Sequence, residues 1–250
     1  MIVHPLFSSS AGNATLIYNT ASQILIDVGV SYKKLIAATS ITIKPDAVLI
    51  SHEHVDHVSG VGVLGRKTFS PVYVSKLCYD HKPDYFNGCD LQFISGGDVI
   101  ETEGFKIEPF STRHDSKASL GFVVTDKING KKLGFLTDTG SFTKLMKLAL
   151  VGCDGYVLET DYDDAMLEEY PDYDSYLKGR IAGPWGHLSN RQTMDFINEV
   201  IDINKVSWIV LGHLSVRTNS TEKVAEYVKQ TFPNFINKFF CAPLETPLEL

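Results

Sequence analysis

Short apolar segments rich in β-branched and aromatic residues recur along the chain, most of them in its first half, separated by Gly, Asn, Asp and Pro. Segments of this length and composition predict β-strands. The predicted strands are residues 14–18, 23–27, 47–51, 72–74, 91–94, 105–110, 120–125, 131–137, 155–159 and 206–211. Asn129-Gly130 is a tight-turn signal, so the strands on either side of it are expected to pair as a hairpin.

Helical periodicity is clearest in the second half of the chain. Residues 189–202 place apolar side chains along one face, and Ser189 with Gln192 has the spacing of a capping box. Residues 219–232 repeat this pattern with Asn219 and Glu222. Strands alternate with these helices, which predicts an α/β (α+β) fold with four αββα layers, two sheets with helices outside them. No linker or repeat divides the chain, so residues 1–250 are predicted to form one domain.

Composition narrows the class of protein. The 250 residues are 44% hydrophobic and 21% charged, with a formal net charge of -7, which is typical of a folded globular chain. The longest apolar runs, such as 208–211 and 239–242, are far shorter than a membrane span, and no secretory signal is visible at the start. We therefore expect a cytoplasmic protein with no membrane partner. The negative charge disfavours the broad basic face that duplex DNA requires. Four scattered cysteines without a C-x-x-C pair are predicted to be free, buried thiols.

The sharpest chemical signal follows the predicted strand 47–51. The sequence His52-Glu53-His54-Val55-Asp56-His57 does not match the helical zincin motif, because Asp56 stands where that motif has its second histidine. It does match H-x-H-x-D-H. In a turn after a strand, His52 and His54 can face one metal ion while Asp56 and His57 face a second.

Three further candidate ligands stand where other predicted strands stop. They are His114, Asp138 and His213. Together with the first motif they form a site of five imidazoles and two carboxylates. Nitrogen and oxygen ligands without a thiolate favour Zn²⁺, with Mn²⁺ or Fe possible.

This arrangement resembles the metallo-β-lactamase superfamily, and the likeness covers essentially the whole chain. It is similar in particular to the YycJ/WalJ branch, which includes DNA exonuclease-like proteins and phage anti-Pycsar phosphodiesterases that destroy cyclic-nucleotide defence signals. The segments that carry this likeness are Ser8–Ala14, Thr137–Gly140, Tyr176–Ile181, Gly186–Asn190 and Gly212–Ser215.

The resemblance implies an αββα fold with two Zn²⁺ ions per chain at one edge of the sandwich, and a homodimer. It implies a first metal held by His52, His54 and His114, and a second held by Asp56, His57 and His213. Asp138 would bridge the two ions, and it belongs with Asp56 and His187 to the predicted catalytic group.

One departure from the branch pattern affects the expected substrate. Where that pattern reads Glu-Ser-Asn-His-Asp, this chain has Glu159-Thr160-Asp161-Tyr162-Asp163. The stretch from Tyr162 to Trp185 is rich in aromatic residues, which favours a lid on which a base could stack or, equally, ordinary loop packing. The predicted substrate-binding residues are Tyr162, Ser189 and Asn190.

Three other residues have predicted roles around the metals. His187 precedes the capped helix 189–202, whose N-terminus favours an anion, so it could protonate a leaving oxygen. Asp27 and, more weakly, Asp115 could orient a ligand imidazole. His4 and His81 match no motif, and surface or packing roles are expected for both.

These observations predict a metal-dependent phosphodiesterase that hydrolyses 3′,5′-cyclic mononucleotides to 5′-monophosphates. If the chain is phage-encoded, it would remove host defence signals in the host cytoplasm. The first alternative is a YycJ/WalJ-like exonuclease with DNA as substrate. The others are a glyoxalase-type thioester hydrolase and a nucleotide-binding protein without catalysis.

Overall fold

Two seven-stranded sheets pack face to face in a computed structural model that describes residues 1–250. The strands of the first sheet, in spatial order, are β14 (Leu248–Glu249), β1 (Ile2–Ser9), β2 (Gly12–Tyr18), β3 (Gln23–Ile26), β4 (Ala47–Leu49), β5 (Pro71–Val74) and β6 (Asp90–Phe93). Those of the second are β13 (Phe239–Cys241), β12 (Trp208–Gly212), β11 (Gly155–Glu159), β10 (Lys132–Leu136), β9 (Leu120–Asp126), β8 (Phe105–Ser111) and β7 (Ile100–Glu101).

Nine α-helices and two 3₁₀ turns connect these strands. The helices are α1 (Tyr32–Ala37), α2 (Val55–Val58), α3 (Val61–Thr68), α4 (Lys76–His81), α5 (Lys144–Leu150), α6 (Asp164–Glu169), α7 (Ser175–Ile181), α8 (Asn190–Val200) and α9 (Thr221–Thr231). The 3₁₀ turns are Pro83–Phe86 and Ile236–Lys238. No helix in the structure has both the length and the apolar character needed to cross a bilayer.

Three apolar clusters account for the layering. The central cluster joins the facing sides of the two sheets, with Ile24, Leu49, Phe122 and Val210 among its members. A second lies on the outer face of the second sheet against α5, α8 and α9, and a third on the outer face of the first sheet against α1, α3 and α4. The predicted αββα architecture is therefore confirmed.

Strand direction brings several strand ends to one edge of the sandwich. In the first sheet β3 runs parallel to β4. In the second, β10, β11 and β12 are parallel, and β8 has the same direction as β10 because each is antiparallel to β9. The residues that follow β3 and β4 therefore lie at one edge of the first sheet, and those that follow β8, β10, β11 and β12 lie at one edge of the second. The two edges meet, because His54, which follows β4, lies 3.2 Å from His114, which follows β8.

The local predictions have mixed outcomes. The Asn129-Gly130 hairpin is confirmed, with Lys132 paired to Thr125, and so is the capping box at the start of α8. The predicted cap of the last long helix is wrong: Ser220 caps α9, and the Asn219 amide instead donates to the carbonyl of Thr160. The sequence patterns also missed the strands β1, β7, β13 and β14. They missed the short helices α1–α7 as well, which span too few turns to show a period.

The four cysteines are unpaired, as predicted, but only Cys78 and Cys153 are buried, whereas Cys89 and Cys241 are half-buried. Burial raises the pKa of the Cys153 thiol to about 12 and that of Cys241 to about 11, which leaves little reactive thiolate near neutral pH. We expect slow reaction of the native protein with a thiol-reactive disulfide reagent and rapid reaction of all four thiols after denaturation. Rapid labelling of Cys153 in the native protein, located by peptide mass spectrometry, would contradict this expectation.

Candidate metal centre

The loop after β4 delivers four candidate ligands in six residues. His52 and His57 are fully buried, and His54 precedes the single turn of α2, in which Asp56 and His57 lie. The turn is tied to the first sheet, because the amide of Val28 donates to the carbonyl of His57 over 2.8 Å. The loop therefore holds its side chains inward at the sheet edge.

Three strand ends turn sharply into the same space. Asp27, Asp138 and His213 have φ angles of 61°, 56° and 57°, in the left-handed region that non-glycine residues rarely adopt. They follow β3, β10 and β12. Backbone strain of this kind costs on the order of 1–3 kcal/mol per residue and is concentrated at functional sites. Here it turns two predicted ligands and their neighbour toward the centre.

The first cluster contains His52, His54 and His114, whose ligand atoms lie within 4.8 Å of one another. His114 Nδ1 lies 3.0 Å from the carbonyl oxygen of Gly186 and donates to it, which leaves Nε2 as a lone-pair atom facing His54 Nδ1 at 3.2 Å. His52 Nδ1 lies 3.0 Å from the hydroxyl of Ser51, so its Nε2 also faces the cluster. These imidazoles converge as ligands of one ion would.

The second cluster contains Asp56, His57 and His213, again within 4.8 Å. His57 Nδ1 donates to Asp27 Oδ2 over 2.8 Å, so Asp27 occupies the orienting position expected for it. The opposite nitrogen, His57 Nε2, lies 3.4 Å from Asp56 Oδ2. The backbone amide of His213 donates to Ser8 Oγ over 2.7 Å, which ties this strand end to β1.

Asp138 lies between the two clusters. Its Oδ1 is 3.3 Å from His213 Nε2 and 3.6 Å from His114 Nε2, and its Oδ2 is 3.4 Å from His57 Nε2. Burial raises its pKa, but the imidazoles of His213 and His57 outweigh burial and hold the pKa well below the ordinary range of a carboxyl group. The carboxylate is therefore ionised and within reach of ligands from both sets.

The donor set fits transition-metal ions. His52 Nε2, His213 Nε2 and Asp138 Oδ2 are buried and have no hydrogen-bond partner, although buried polar atoms normally have one. All three point into the space enclosed by the two clusters. A cation there would satisfy these atoms together, and neutral imidazoles with carboxylates suit Zn²⁺ or Mn²⁺.

His187 lies beside the metal ligands and is held by a buried carboxylate. Its Nδ1 is 2.6 Å from Glu159 Oε1, and its side chain is 22% exposed while that of Glu159 is fully buried. The ring stacks on His213 with a centroid separation of 5.3 Å. Burial lowers the pKa of His187, but the nearby charges of Glu159 and Asp161 outweigh burial and raise it to about 9. Because Glu159 binds Nδ1, Nε2 is the ring nitrogen left free of that contact.

Glu159 is a site residue that the sequence analysis did not identify. It ends β11, accepts from the backbone amide of Thr139 over 2.9 Å, and lies 3.4 Å from His213 Nδ1 as well as against His187. It thus positions the loop that carries Asp138. The available signal was its place at a strand end, the same signal that identified Asp138 and His213.

The predicted substrate-binding residues are part of the framework, contrary to expectation. Tyr162 is only 3% exposed, and Ser189 and Asn190 are fully buried. The Ser189 hydroxyl caps α8, and the Asn190 amide donates to Asn219 over 3.0 Å. Side chains committed to such contacts have no free surface for a substrate. Asp161 is 6% exposed, so both residues at which this chain departs from the branch pattern, Asp161 and Tyr162, are buried.

Asp115 stands close to two ligand imidazoles. The Gly186 carbonyl takes the orienting position behind His114, and Asp115 Oδ1 lies 3.4 Å from the opposite nitrogen, Nε2. The same oxygen lies 3.9 Å from His54 Nε2, the nitrogen opposite the one that faces His114, so the orienting role of Asp115 stays a prediction. Its Oδ2 pairs with Arg180 at 2.5 Å. Arg180, Asp115 and His187 line a small pocket of about 160 Å³. The remaining histidines lie outside the clusters: His4 contacts the Leu244 carbonyl and His81 contacts Glu53.

Comparison with known proteins agrees with this geometry. Residues 22–213 match the sequence family described as the beta-lactamase superfamily domain. The chain is 31% identical to a protein named exodeoxyribonuclease YycJ from Bacillus anthracis, over 90% of this chain and 86% of that protein. It is 33% identical to exodeoxyribonuclease WalJ from Streptococcus pneumoniae, over 87% of this chain and 82% of that protein.

The chain belongs to the metallo-β-lactamase superfamily, in its YycJ/WalJ-like branch. Solved structures of the superfamily share its fold. The metallo-β-lactamase fold protein YhfI from Bacillus subtilis superposes with a TM-score of 0.76 at 17% identity, covering 99% of both chains. A diphosphatase of the PhnP family superposes with a TM-score of 0.73 at 16% identity, covering 100% of this chain and 96% of that one. The protein is accordingly a metal-dependent hydrolase of this superfamily.

Proposed function

We propose that this metallo-β-lactamase-fold protein is a dinuclear phosphodiesterase that removes nucleotides from DNA ends. Two Zn²⁺ ions, or Mn²⁺ ions, would be held by the two clusters, with Asp138 shared between them. When bound, such ions lower the pKa of a water molecule and offset charge on a phosphoryl oxygen. The buried atoms without hydrogen-bond partners support this assignment.

The observation that carries the reaction class is the His187–Glu159 pair. Glu159 binds Nδ1, so Nε2 is the ring nitrogen left free to donate a proton at the accessible edge of the site. When a phosphodiester is hydrolysed, the ester P–O bond breaks and the departing oxygen is an alkoxide, which is a poor leaving group unless it is protonated. A thiolate leaves readily without a proton, so a thioester hydrolase has little use for this acid. The pair therefore favours phosphodiester hydrolysis over the glyoxalase-type alternative.

Three observations support DNA as the substrate. The relatives that match nearly the whole chain are named exodeoxyribonucleases. The departure at Asp161 and Tyr162, which favoured a small cyclic nucleotide in the sequence analysis, lies in buried residues, so it offers no side-chain surface to a substrate. Exposed Arg113 and Lys117 lie on the same loop as His114, so basic groups are available beside the site despite the net charge of -7.

Hydrolysis of 3′,5′-cyclic mononucleotides is the second candidate. The net charge of -7 favours it, because a small substrate requires one phosphate clamp and no basic track. Trp185, which is 54% exposed and lies two residues before His187, supplies aromatic surface for a base. A role against host defence signals belongs to this candidate and stays a prediction, as does the homodimer implied by the resemblance to the YycJ/WalJ branch.

A substrate panel separates the two candidates. With Zn²⁺ or Mn²⁺ supplied, we expect end-labelled single-stranded oligonucleotides to be shortened to mononucleotides, and cyclic AMP, GMP, CMP and UMP to be turned over far more slowly. Reaction products are resolved by gel electrophoresis and liquid chromatography. Because the protein is acidic, few phosphates should be contacted, and binding should weaken by much less than the roughly 10³–10⁵ expected for 6–10 contacts between 50 and 200 mM salt.

The Asp138→Asn protein, purified in parallel, controls for contaminating nucleases. Turnover of cyclic nucleotides with intact DNA would establish the second candidate instead. Inactivity on both substrates, in protein shown to contain metal, would reject the phosphodiesterase assignment.

A further inference from the structure

A groove of about 520 Å³ lies beside the metal centre on the outer side of β8. Its walls include Trp185, Leu145, Phe110 and the backbone of Gly96 and Gly97. Trp185 is 54% exposed and Leu145 is 76% exposed, so both present apolar surface at the mouth of the cavity. Neither the metal clusters nor the proton donation proposed for His187 uses Trp185 or Leu145.

Arg113 gives the groove its charge. Its guanidinium lies 5.4 Å from the centre of the Trp185 ring, which is a cation–π contact. None of the side chains that line the groove is acidic, although the protein carries a net charge of -7. An exposed indole backed by an arginine is suited to a planar ring attached to an anionic backbone.

The groove is held rigidly against the active centre. The amide of Gly140 donates to the Arg113 carbonyl over 2.8 Å, and the Ser141 hydroxyl donates to the Pro184 carbonyl over 2.9 Å. Both donors lie on the loop that begins at Asp138. A Cβ at Gly140 would lie 2.3 Å from the Gly183 carbonyl oxygen, so these segments are in close contact. Trp185 therefore has a fixed position relative to Asp138.

The distance to the centre suits a neighbouring nucleotide better than the reacting one. Arg113 adjoins the predicted ligand His114, and Trp185 is two residues from His187, which spans at most about 7 Å of chain. A stacked strand rises about 3.4 Å per nucleotide. An extended strand with its scissile phosphate near His187 could thus place a base one or two nucleotides away on Trp185.

We propose that the Trp185–Arg113 groove binds a base of single-stranded DNA, one or two nucleotides from the scissile phosphate. This inference rests on DNA being the substrate. It assigns Trp185 as the stacking surface and Arg113 as the cation that supports the indole and attracts the backbone.

The test measures binding directly. A single-stranded oligothymidylate with phosphorothioate linkages, which resist hydrolysis, is added to the metal-loaded protein. We expect quenching of the fluorescence of Trp185, since the other tryptophan, Trp208, is 5% exposed and donates to the Glu249 carbonyl. Trp185→Ala should weaken binding of a fluorescein-labelled oligonucleotide by about 5- to 150-fold, the range for loss of one base stack, and Trp185→Phe should restore most of it.

Phe69→Ala is the matched control. Phe69 is an aromatic side chain, 85% exposed, that precedes β5 at the opposite end of the sandwich. Its replacement should leave oligonucleotide affinity unchanged. Unchanged affinity in Trp185→Ala would overturn the inference. If that variant binds DNA normally but has lost a dimer that light scattering detects in the wild type, Trp185 belongs to a contact between subunits instead.

The inference and the proposed function fail in different ways. Hydrolysis of DNA without quenching, and without an effect of Trp185→Ala, leaves the phosphodiesterase assignment standing and removes the stacking groove. Quenching and weakened binding in Trp185→Ala, without hydrolysis of DNA by the metal-loaded protein, keep the groove and reject the exonuclease.

Discussion

Replacing Asp138 with alanine is expected to abolish hydrolysis and to reduce the metal content of the protein. Asp138 is a carboxylate within 3.6 Å of imidazole nitrogens from both clusters, those of His114, His57 and His213. Its loss removes a ligand from two ions at once. Replacing a residue that only supports a ligand typically costs 10- to 100-fold, so the loss here should exceed about 100-fold.

The measurement combines elemental analysis with initial rates on the same protein samples. We expect close to two ions per wild-type chain and clearly fewer in Asp138→Ala. Asp154→Ala is a matched control, because Asp154 pairs with Lys131 just before β11, at the other end of the sandwich, and should keep both metal and activity. A wild-type protein that takes up neither Zn²⁺ nor Mn²⁺ would refute the metal-centre assignment altogether.

The fold was predictable because its signals are local and repeated. Alternating strands and helices near β11 and β12, the Asn129-Gly130 turn and the Ser189 cap each depend on a few neighbouring residues. The candidate ligands were predictable for a related reason. Parallel strands direct their C-terminal ends to one edge, so an ionisable residue at the end of a strand marks that edge whatever its distance along the chain.

The features that escaped prediction depend on burial, which sequence patterns report poorly. The aromatic ring of Tyr162 could stack on a base, but an aromatic ring in a loop serves packing equally well, and here it is 3% exposed. Asn219 is a residue type that often caps helices, yet the neighbouring Ser220 is the N-cap of α9. Asn219 instead hydrogen-bonds to Asn190 in a buried network. Trp185 lies in the same aromatic stretch as Tyr162 but is 54% exposed, a difference that the sequence pattern does not show.

Replacing His187 with alanine is expected to keep the fold and the metals but to slow hydrolysis of DNA by roughly 10²- to 10⁴-fold, the usual range for loss of a general acid. The reason is the imidazole held at Nδ1 by Glu159, which leaves Nε2 to give a proton to the leaving oxygen. Asp138 and the imidazoles of both clusters are predicted to hold metal and have no proton to give. Initial rates at saturating metal, with elemental analysis of each sample, provide the measurement.

The leaving group decides whether His187 acts as an acid or as a structural residue. Bis(4-nitrophenyl) phosphate releases a phenolate that needs little protonation, so His187→Ala should hydrolyse it at close to the wild-type rate. Glu159→Gln should resemble His187→Ala on DNA, since a neutral amide no longer holds the proton on the imidazole, 2.6 Å away. If His187→Ala loses activity equally on both substrates, then His187 binds the phosphate or maintains the site, and the proton must reach the leaving oxygen from water.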